Sequence, residues 1–263
     1  MQKIKTGMSL GVLCVVISVL SGCATTPKNP ADPYEGYNRK MFAFNQGLYT
    51  LGDPLLTGYR KAMPDVVQTG IRNVVSNVGM VPTIGDDLLQ ANFRWAGDDT
   101  LRFLLNTTLG CLGLFDVASH VGLYARQQSF GLTLERWSDE PTPYIILPIF
   151  GPSTGSNMLG LFPDYLMSPI TYTSGSVYWP YQALSQTQRA SDVLPQYEIL
   201  TQTAIDPYVA VRTAYLQNQA LQIWQVKHEN LPVSDAPMMQ SSEANPDLIP
   251  GDDVIPGEGG VSS

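Results

Sequence analysis

The feature that most limits what this chain can become is its N-terminus. Lys3 and Lys5 precede a mostly apolar run of thirteen residues, Met8 to Leu20, which ends in Leu20-Ser21-Gly22-Cys23. A basic start, a short greasy middle and small residues at the end make residues 1–22 a secretory signal peptide. The run is too short to cross a bilayer comfortably, which takes about 20 apolar residues. A cysteine closes the pattern where a small Ala-x-Ala site would be usual.

That ending resembles the bacterial lipobox. There the thiol receives a diacylglycerol, the chain is cut before the cysteine, and the new amine takes a further acyl chain such as palmitate. Three acyl chains exceed the two signals that stable anchoring usually needs. The alternative, a buried cysteine that happens to follow glycine, leaves the upstream pattern unexplained. Ala24, not aspartate, follows Cys23. By resemblance to the Gram-negative sorting rule, the protein is expected at the outer membrane, anchored in the inner leaflet and facing the periplasm.

Composition agrees with a body that meets lipid. Charged residues are 14% of the chain, against about 25% in an ordinary soluble domain. Hydrophobic residues, at 44%, are not correspondingly enriched. Much of the surface must be neutral, with a wet face and a face that avoids water. Removing residues 1–22 from the 263 leaves 241, enough for one large domain or two small ones. Loss of Lys3 and Lys5 takes the formal charge from −8 to −10. An acidic chain without a basic run argues against nucleic acid and against a broad cationic patch for anionic headgroups. Cys14 leaves with the signal and Cys23 is acylated, so Cys111 alone remains as a thiol and packing must stabilise the fold.

Along the chain, residues 23–32 read as a polar, proline-bearing tether, and 33–228 as one helical domain. A helix is expected from near Tyr34 to about Tyr49, with Tyr37, Met41, Phe44 and Leu48 at helical spacing. Asp65 is expected to cap a second, whose Val66, Val67, Ile71, Val74, Val75 and Val78 form a stripe needing a partner surface. Thr83 to Asn92 reads as a further short helix, and Asp86-Asp87 as its polar face. Asp98 and Asp99 suit the N-terminus of another over 100–109. Leu109-Gly110-Cys111-Leu112-Gly113-Leu114-Phe115-Asp116 is apolar and broken by two glycines, so it should bend or hinge. It fits a lipid-facing turn or a buried helix corner. Thr142 to Pro152, with prolines throughout, is extended and could line a membrane-facing surface, and Ser153–Ser156 reads as a turn. Tyr165, Tyr172, Tyr178, Trp179 and Tyr181 suit a bilayer headgroup zone, although a soluble core can hold the same aromatics. Helices are expected over Leu184–Leu200 and Asp206–Trp224. Residues 229–263 are expected to form a disordered acidic tail.

Enzyme chemistry finds no support. The chain has two histidines, His120 and His228. No Gly-x-Ser-x-Gly elbow, Ser-x-x-Lys, His-Glu-x-x-His, dinucleotide fingerprint or Cys/His metal spacing occurs. Gly151–Gly155 lacks the Gly-Lys-Ser/Thr ending of a phosphate loop. His120 beside Asp116 reads as an ordinary helix-end contact. No cofactor is expected.

Four blocks share one resemblance. They are Asp32-Pro33-Tyr34-Glu35-Gly36-Tyr37-Asn38-Arg39 with Phe42-Ala43-Phe44-Asn45; Arg102-Phe103-Leu104-Leu105-Asn106-Thr107-Thr108-Leu109-Gly110 with Gly113-Leu114-Phe115-Asp116-Val117-Ala118; Phe130-Gly131 with Pro143-Tyr144 and Leu147-Pro148; and Asp206-Pro207-Tyr208 with Arg212 and Tyr215. In this order, over roughly residues 31–224, they resemble the VacJ/MlaA lipoprotein family.

The resemblance implies a mainly α, ring-like domain lodged in the inner leaflet of the outer membrane. Its amphipathic channel would take misplaced glycerophospholipids from the outer leaflet to a periplasmic lipid carrier of the MlaC kind. A trimeric porin is the expected neighbour, and lipid asymmetry the result. A lipoprotein that scaffolds porins or envelope partners without moving lipid is the rival from another class. By position in the family motifs, Gly110, Cys111, Leu112 and Gly113 are the expected gate, and Phe42, Phe44 and Asn45 the neighbouring wall. Replacing Gly110 and Gly113 by leucine is then expected to leave the fold intact and block passage. The chain departs from the family at Met80-Val81, at Ser138-Asp139-Glu140 after Trp137, and at Gly155-Ser156-Asn157, which bears on the porin and carrier contacts.

Overall fold

The computed structural model describes residues 32–138 and 140–228. The signal peptide, Cys23 and the expected acidic tail over 229–263 lie outside the described residues. Within them are seven α-helices and one β-hairpin: α1 Glu35–Ala62, α2 Asp65–Leu89, α3 Phe93–Thr108, α4 Phe130–Trp137, β1 Tyr144–Leu147, β2 Gly151–Thr154, α5 Gly155–Met167, α6 Gly175–Thr203 and α7 Pro207–Lys227. Short 3-10 turns lie at Ala118–Val121 and Pro169–Tyr172.

Polar side chains start four helices by accepting otherwise orphaned amides. Asn92 accepts from Trp95, Ser129 from Leu132, Thr154 from Asn157, and Asp206 from both Tyr208 and Val209. The expected α7 start at Asp206-Pro207 is therefore a side-chain cap with proline at the first helical position. Two cap expectations are corrected. Asp65 is the first residue of α2, behind Pro64 and without a side-chain cap. Asp98 and Asp99 lie inside α3, because Asn92 starts that helix earlier.

Other helices outrun their sequence signals. The first continues past Tyr49 and Pro54 to Ala62. The separate helix expected at Thr83–Asn92 is the end of α2, continuous through Pro82. The next-to-last begins at Gly175, not Leu184, and passes Pro180 and Pro195. An internal proline removes one helix donor and costs about 3 kcal/mol, so packing has to carry these helices through. Buried Leu56, Thr83 and Leu194 sit beside Pro54, Pro82 and Pro195. Ser153–Ser156 is not a free turn but the junction of β2 and α5. The sequence reading missed α4 and α5; at eight residues, α4 is too short to display a helical period.

The extended stretch before Pro152 is one arm and the turn of an antiparallel hairpin, in which Tyr144 pairs with Thr154 and Leu147 with Gly151. Its turn holds Ile149 at φ 72°. Contacts close a circuit: α1 packs on α6, α6 on α2, α2 on α5, α5 on β2, and β1 back on α1. Helix α3 lies along α2, and α4 joins α5 to α7.

Burial in this circuit is inverted. Among the described residues, buried polar or charged side chains outnumber buried hydrophobic ones about two to one. Asn38, Asp86, Asp87 and Thr133 are wholly buried, while Leu51 is 81% exposed, Phe93 73%, Phe150 70% and Trp179 69%. The buried apolar cluster is small, Tyr144, Ile146 and Tyr208, with Met41, Phe42 and Tyr215 packed against it. Soluble domains usually bury the opposite set. Among the described residues no helix is long and apolar enough to cross a membrane.

Candidate functional site

The first and last family-like blocks meet in space. Buried Asp32 accepts from Asn38 Nδ2 at 3.1 Å, is hydrogen-bonded by the Tyr208 hydroxyl, and lies 3.4 Å from Arg212. Arg39 reaches Glu35 and Asp206, each at 2.8 Å. The start of α1 is thus pinned to the start of α7.

From the same helix, two asparagines seven residues apart hold the free edge of β1. Residues two helical turns apart lie on one face. Asn38 donates to the Tyr144 carbonyl at 3.2 Å and accepts from the Ile146 amide at 2.9 Å. Asn45 donates to the Leu147 carbonyl at 2.9 Å and accepts from the Ile149 amide at 2.7 Å. Each side-chain amide does what a neighbouring strand's peptide would do. Asn45, expected in a channel wall, is therefore a buried clamp on the hairpin. Phe42 is half-buried, 5.9 Å edge-on to Tyr208, whereas Phe44 is 49% exposed.

The four expected gate residues form a second, separate group after α3. Cys111, Leu112 and Gly113 all have positive φ, 52°, 60° and 90°, so the chain reverses through three left-handed residues. Phe115 donates to the Gly110 carbonyl at 2.9 Å and Gly113 to that of Asn106 at 2.8 Å. Underneath, buried Arg102 donates to Asp116 at 2.8 Å, to Ser119 at 3.1 Å and to the Leu123 carbonyl. Asn106 donates to Asp116 and accepts from Ala118. Burial opposes ionisation of Asp116, but the hydrogen bonds from Arg102, Ser119 and Asn106 prevail and hold its carboxyl at about 2. His120 contacts the Asp116 backbone oxygen, not its carboxylate.

This is a bent, braced turn. A Cβ at Gly110 would lie 2.2 Å from the Phe115 oxygen, and one at Gly113 2.4 Å from Asn77 Cβ. Leucine at both positions would break the turn, so the expectation that such a variant keeps its fold is corrected. Cys111 and Leu112, at the tip, are exposed.

One cavity adjoins this turn, and a second adjoins the first. An apolar groove of about 590 Å³ runs between Val66, Val67 and Val74 of α2, Leu114 and Phe115 of the turn, and Tyr181 of α6. A polar cavity of about 600 Å³ lies between the end of α1, the start of α2 and α6, lined by Arg60, Lys61, Arg72 and Asp192. Asp65 lines both. The valine stripe of α2 was legible in the sequence, but its polar neighbour was not, because the cavity closes only when Ser191, Asp192 and Pro195 of α6 meet Arg60, Lys61 and Arg72, more than 100 residues earlier.

The sequence also missed a buried acidic group. Asp86 and Asp87, expected on the polar face of a helix, are both wholly buried, and Asp99 is 1% exposed. Thr133 donates to Asp86 at 3.2 Å and Arg126 to Asp99 at 3.1 Å. Burial and the nearby Asp164 push Asp86 up to about 7; burial and Asp99 push Asp87 up to about 8. Burial likewise raises Asp99, against the pull of Arg126. Among the described residues no group of three or more His, Cys, Asp or Glu is arranged to hold a metal ion.

Comparison with known proteins gives a consistent result. The family model described as MlaA lipoprotein matches residues 30–222. An uncharacterised protein of Rickettsia prowazekii (strain Madrid E) is 38% identical over 187 residues, 70% of this chain and 74% of the relative. The intermembrane phospholipid transport system lipoprotein MlaA of Escherichia coli (strain K12) is 28% identical over 223 residues, 80% of this chain and 86% of the relative. A solved chain from work on the structural basis for maintenance of bacterial outer membrane lipid asymmetry superposes with a TM-score of 0.64 at 30% identity, covering 73% of this chain and 98% of that one.

Proposed function

Because the chain belongs to the MlaA lipoprotein family, we propose that it removes mislocalised glycerophospholipids from the outer leaflet of the outer membrane. It passes them through an amphipathic path to a periplasmic carrier of the MlaC kind, beside a trimeric porin. Cys23 carries the acyl anchor, residues 23–32 are its tether, and the helical circuit sits in the inner leaflet.

The observation that carries this reading is the inverted burial. Exposed Leu51, Phe93, Phe150 and Trp179 suit acyl chains outside, while buried Asn, Gln, Asp and Ser side chains make a polar interior. A phospholipid needs an apolar wall for its tails and a polar lane for its headgroup, and no covalent chemistry. In this reading the Cys111-Leu112 tip is the lip of the gate, held by Gly110 and Gly113, and Phe44 belongs to the adjoining wall. Phe42 and Asn45 act behind that wall by fixing the hairpin.

Deletion of the gene tests this. Phospholipid in the outer leaflet should rise, read as acylation of lipid A by an outer-leaflet acyltransferase or as phospholipase sensitivity. No rise would leave a scaffold that moves no lipid.

A further inference from the structure

The two cavities differ in chemistry and meet at Asp65, and that junction goes further than a general lipid path. The floor of the polar cavity is already satisfied. Tyr59 donates to Gln188 at 2.6 Å, Gln188 to Asp192 at 2.8 Å, and Arg72 bridges Asp192 at 2.7 Å and Thr69 at 3.0 Å. Gln68 donates to the Met63 carbonyl at 2.9 Å, capping the end of α1. Arg60 and Lys61, the other two cations of the lining, enter no such pair among the described residues. Arg72 and Asp192 cancel, so Arg60 and Lys61 against Asp65 leave one net positive charge. One charge matches a phosphodiester, which carries a single negative charge. The neighbouring groove is apolar, and each space falls within the roughly 300–1,000 Å³ of small-molecule sites.

We infer that the polar cavity is a phosphodiester station, in which Arg60 and Lys61 take the headgroup phosphate of a phospholipid whose acyl chain lies in the Val66–Val74 groove. Asp65, between them, faces the glycerol or a headgroup ammonium. This rests on the lipid-carrying reading above and adds the residues that recognise the headgroup.

The test is equilibrium binding to the full-length protein in neutral detergent, using phosphatidylethanolamine and a diacylglycerol with the same fluorescent tail. Wild type should prefer the phospholipid. R60Q/K61Q should weaken phospholipid binding about tenfold, as loss of two exposed charge contacts implies, and leave diacylglycerol binding unchanged. R60K/K61R should restore it, and R94Q, a cation change elsewhere, should have no effect. Unaltered thermal melts show that the variants fold. Equal affinity of R60Q/K61Q and wild type for phosphatidylethanolamine would overturn the station while leaving lipid carriage intact. Equal wild-type affinity for the two lipids would do the same. Failure of wild type to bind either lipid would overturn the lipid reading itself. Glycerophosphoethanolamine competing as tightly as the intact lipid would assign the cavity to a soluble phosphodiester and refute the lipid assignment.

Discussion

Truncating Asn38 should cost far more than truncating Asn45, although both clamp the same strand. In Asn38→Ala, the Ile146 amide and the Tyr144 carbonyl lose their partner, and Asp32 loses a donor. Ile146 is 1% exposed and Tyr144 3%, so water cannot replace the lost bonds. An unsatisfied buried group costs about 1–3 kcal/mol, giving roughly 2–6 kcal/mol for the two backbone groups. At Asn45 the freed amide belongs to Ile149, which is 71% exposed, and water limits the loss to about 1 kcal/mol. Amide hydrogen exchange reads this directly. Protection of the Ile146 amide should fall roughly 30- to 20,000-fold in Asn38→Ala, at tenfold per 1.4 kcal/mol. Asn38→Asp keeps the volume but cannot donate to Tyr144, so it should be at least as damaging. Ile146 protection within twofold of wild type in Asn38→Ala, or a larger loss in Asn45→Ala, would refute the clamp.

Two further predictions concern the turn and the acidic group. Gly113→Ala should destabilise by more than about 2 kcal/mol, through positive φ and the overlap with Asn77, whereas Cys111→Ser at the exposed tip should stay within about 0.5 kcal/mol; urea melts separate them. Asp86 and Asp87 are raised in the fold to about 7 and about 8, so their contribution is fully present below the ordinary carboxyl value of about 3.9 and lost as pH rises through 7 and 8. Thermal stability should therefore fall from pH 5 to pH 9, and Asp87→Asn should flatten that fall; a wild-type profile that rises over this window would refute it. Asp116, lowered to about 2, works oppositely, weakening the fold only below about pH 4.

How much was legible follows from where each signal lives. The α7 start could be read because Asp206-Pro207 acts on the next two amides. The bend at Leu109–Asp116 could be read because two glycines announce it, but its rigidity could not: the bracing comes from Arg102, Asn106 and Asn77, and only contact geometry shows how close Asn77 sits to Gly113. Helix ends were missed wherever proline intervened, since proline's local cost is visible in sequence and the packing that offsets it is not. Asp86 and Asp87 misled for a related reason, because carboxylates are ordinarily exposed.

Taken alone, the sequence determined a mainly helical chain, the family to which it belongs and which helix faces are apolar. Apolar periodicity reports which side of a helix differs from the other. It is silent about whether that side meets protein or points outward. Only the tertiary structure decided that: it turned polar faces inward, set Asn38 and Asn45 against a strand more than 100 residues away, and brought Asp192 of α6 across to Arg72 to close the polar cavity. Those outcomes depend on long-range pairing, whose energy is shared between distant segments and so leaves no local mark on either.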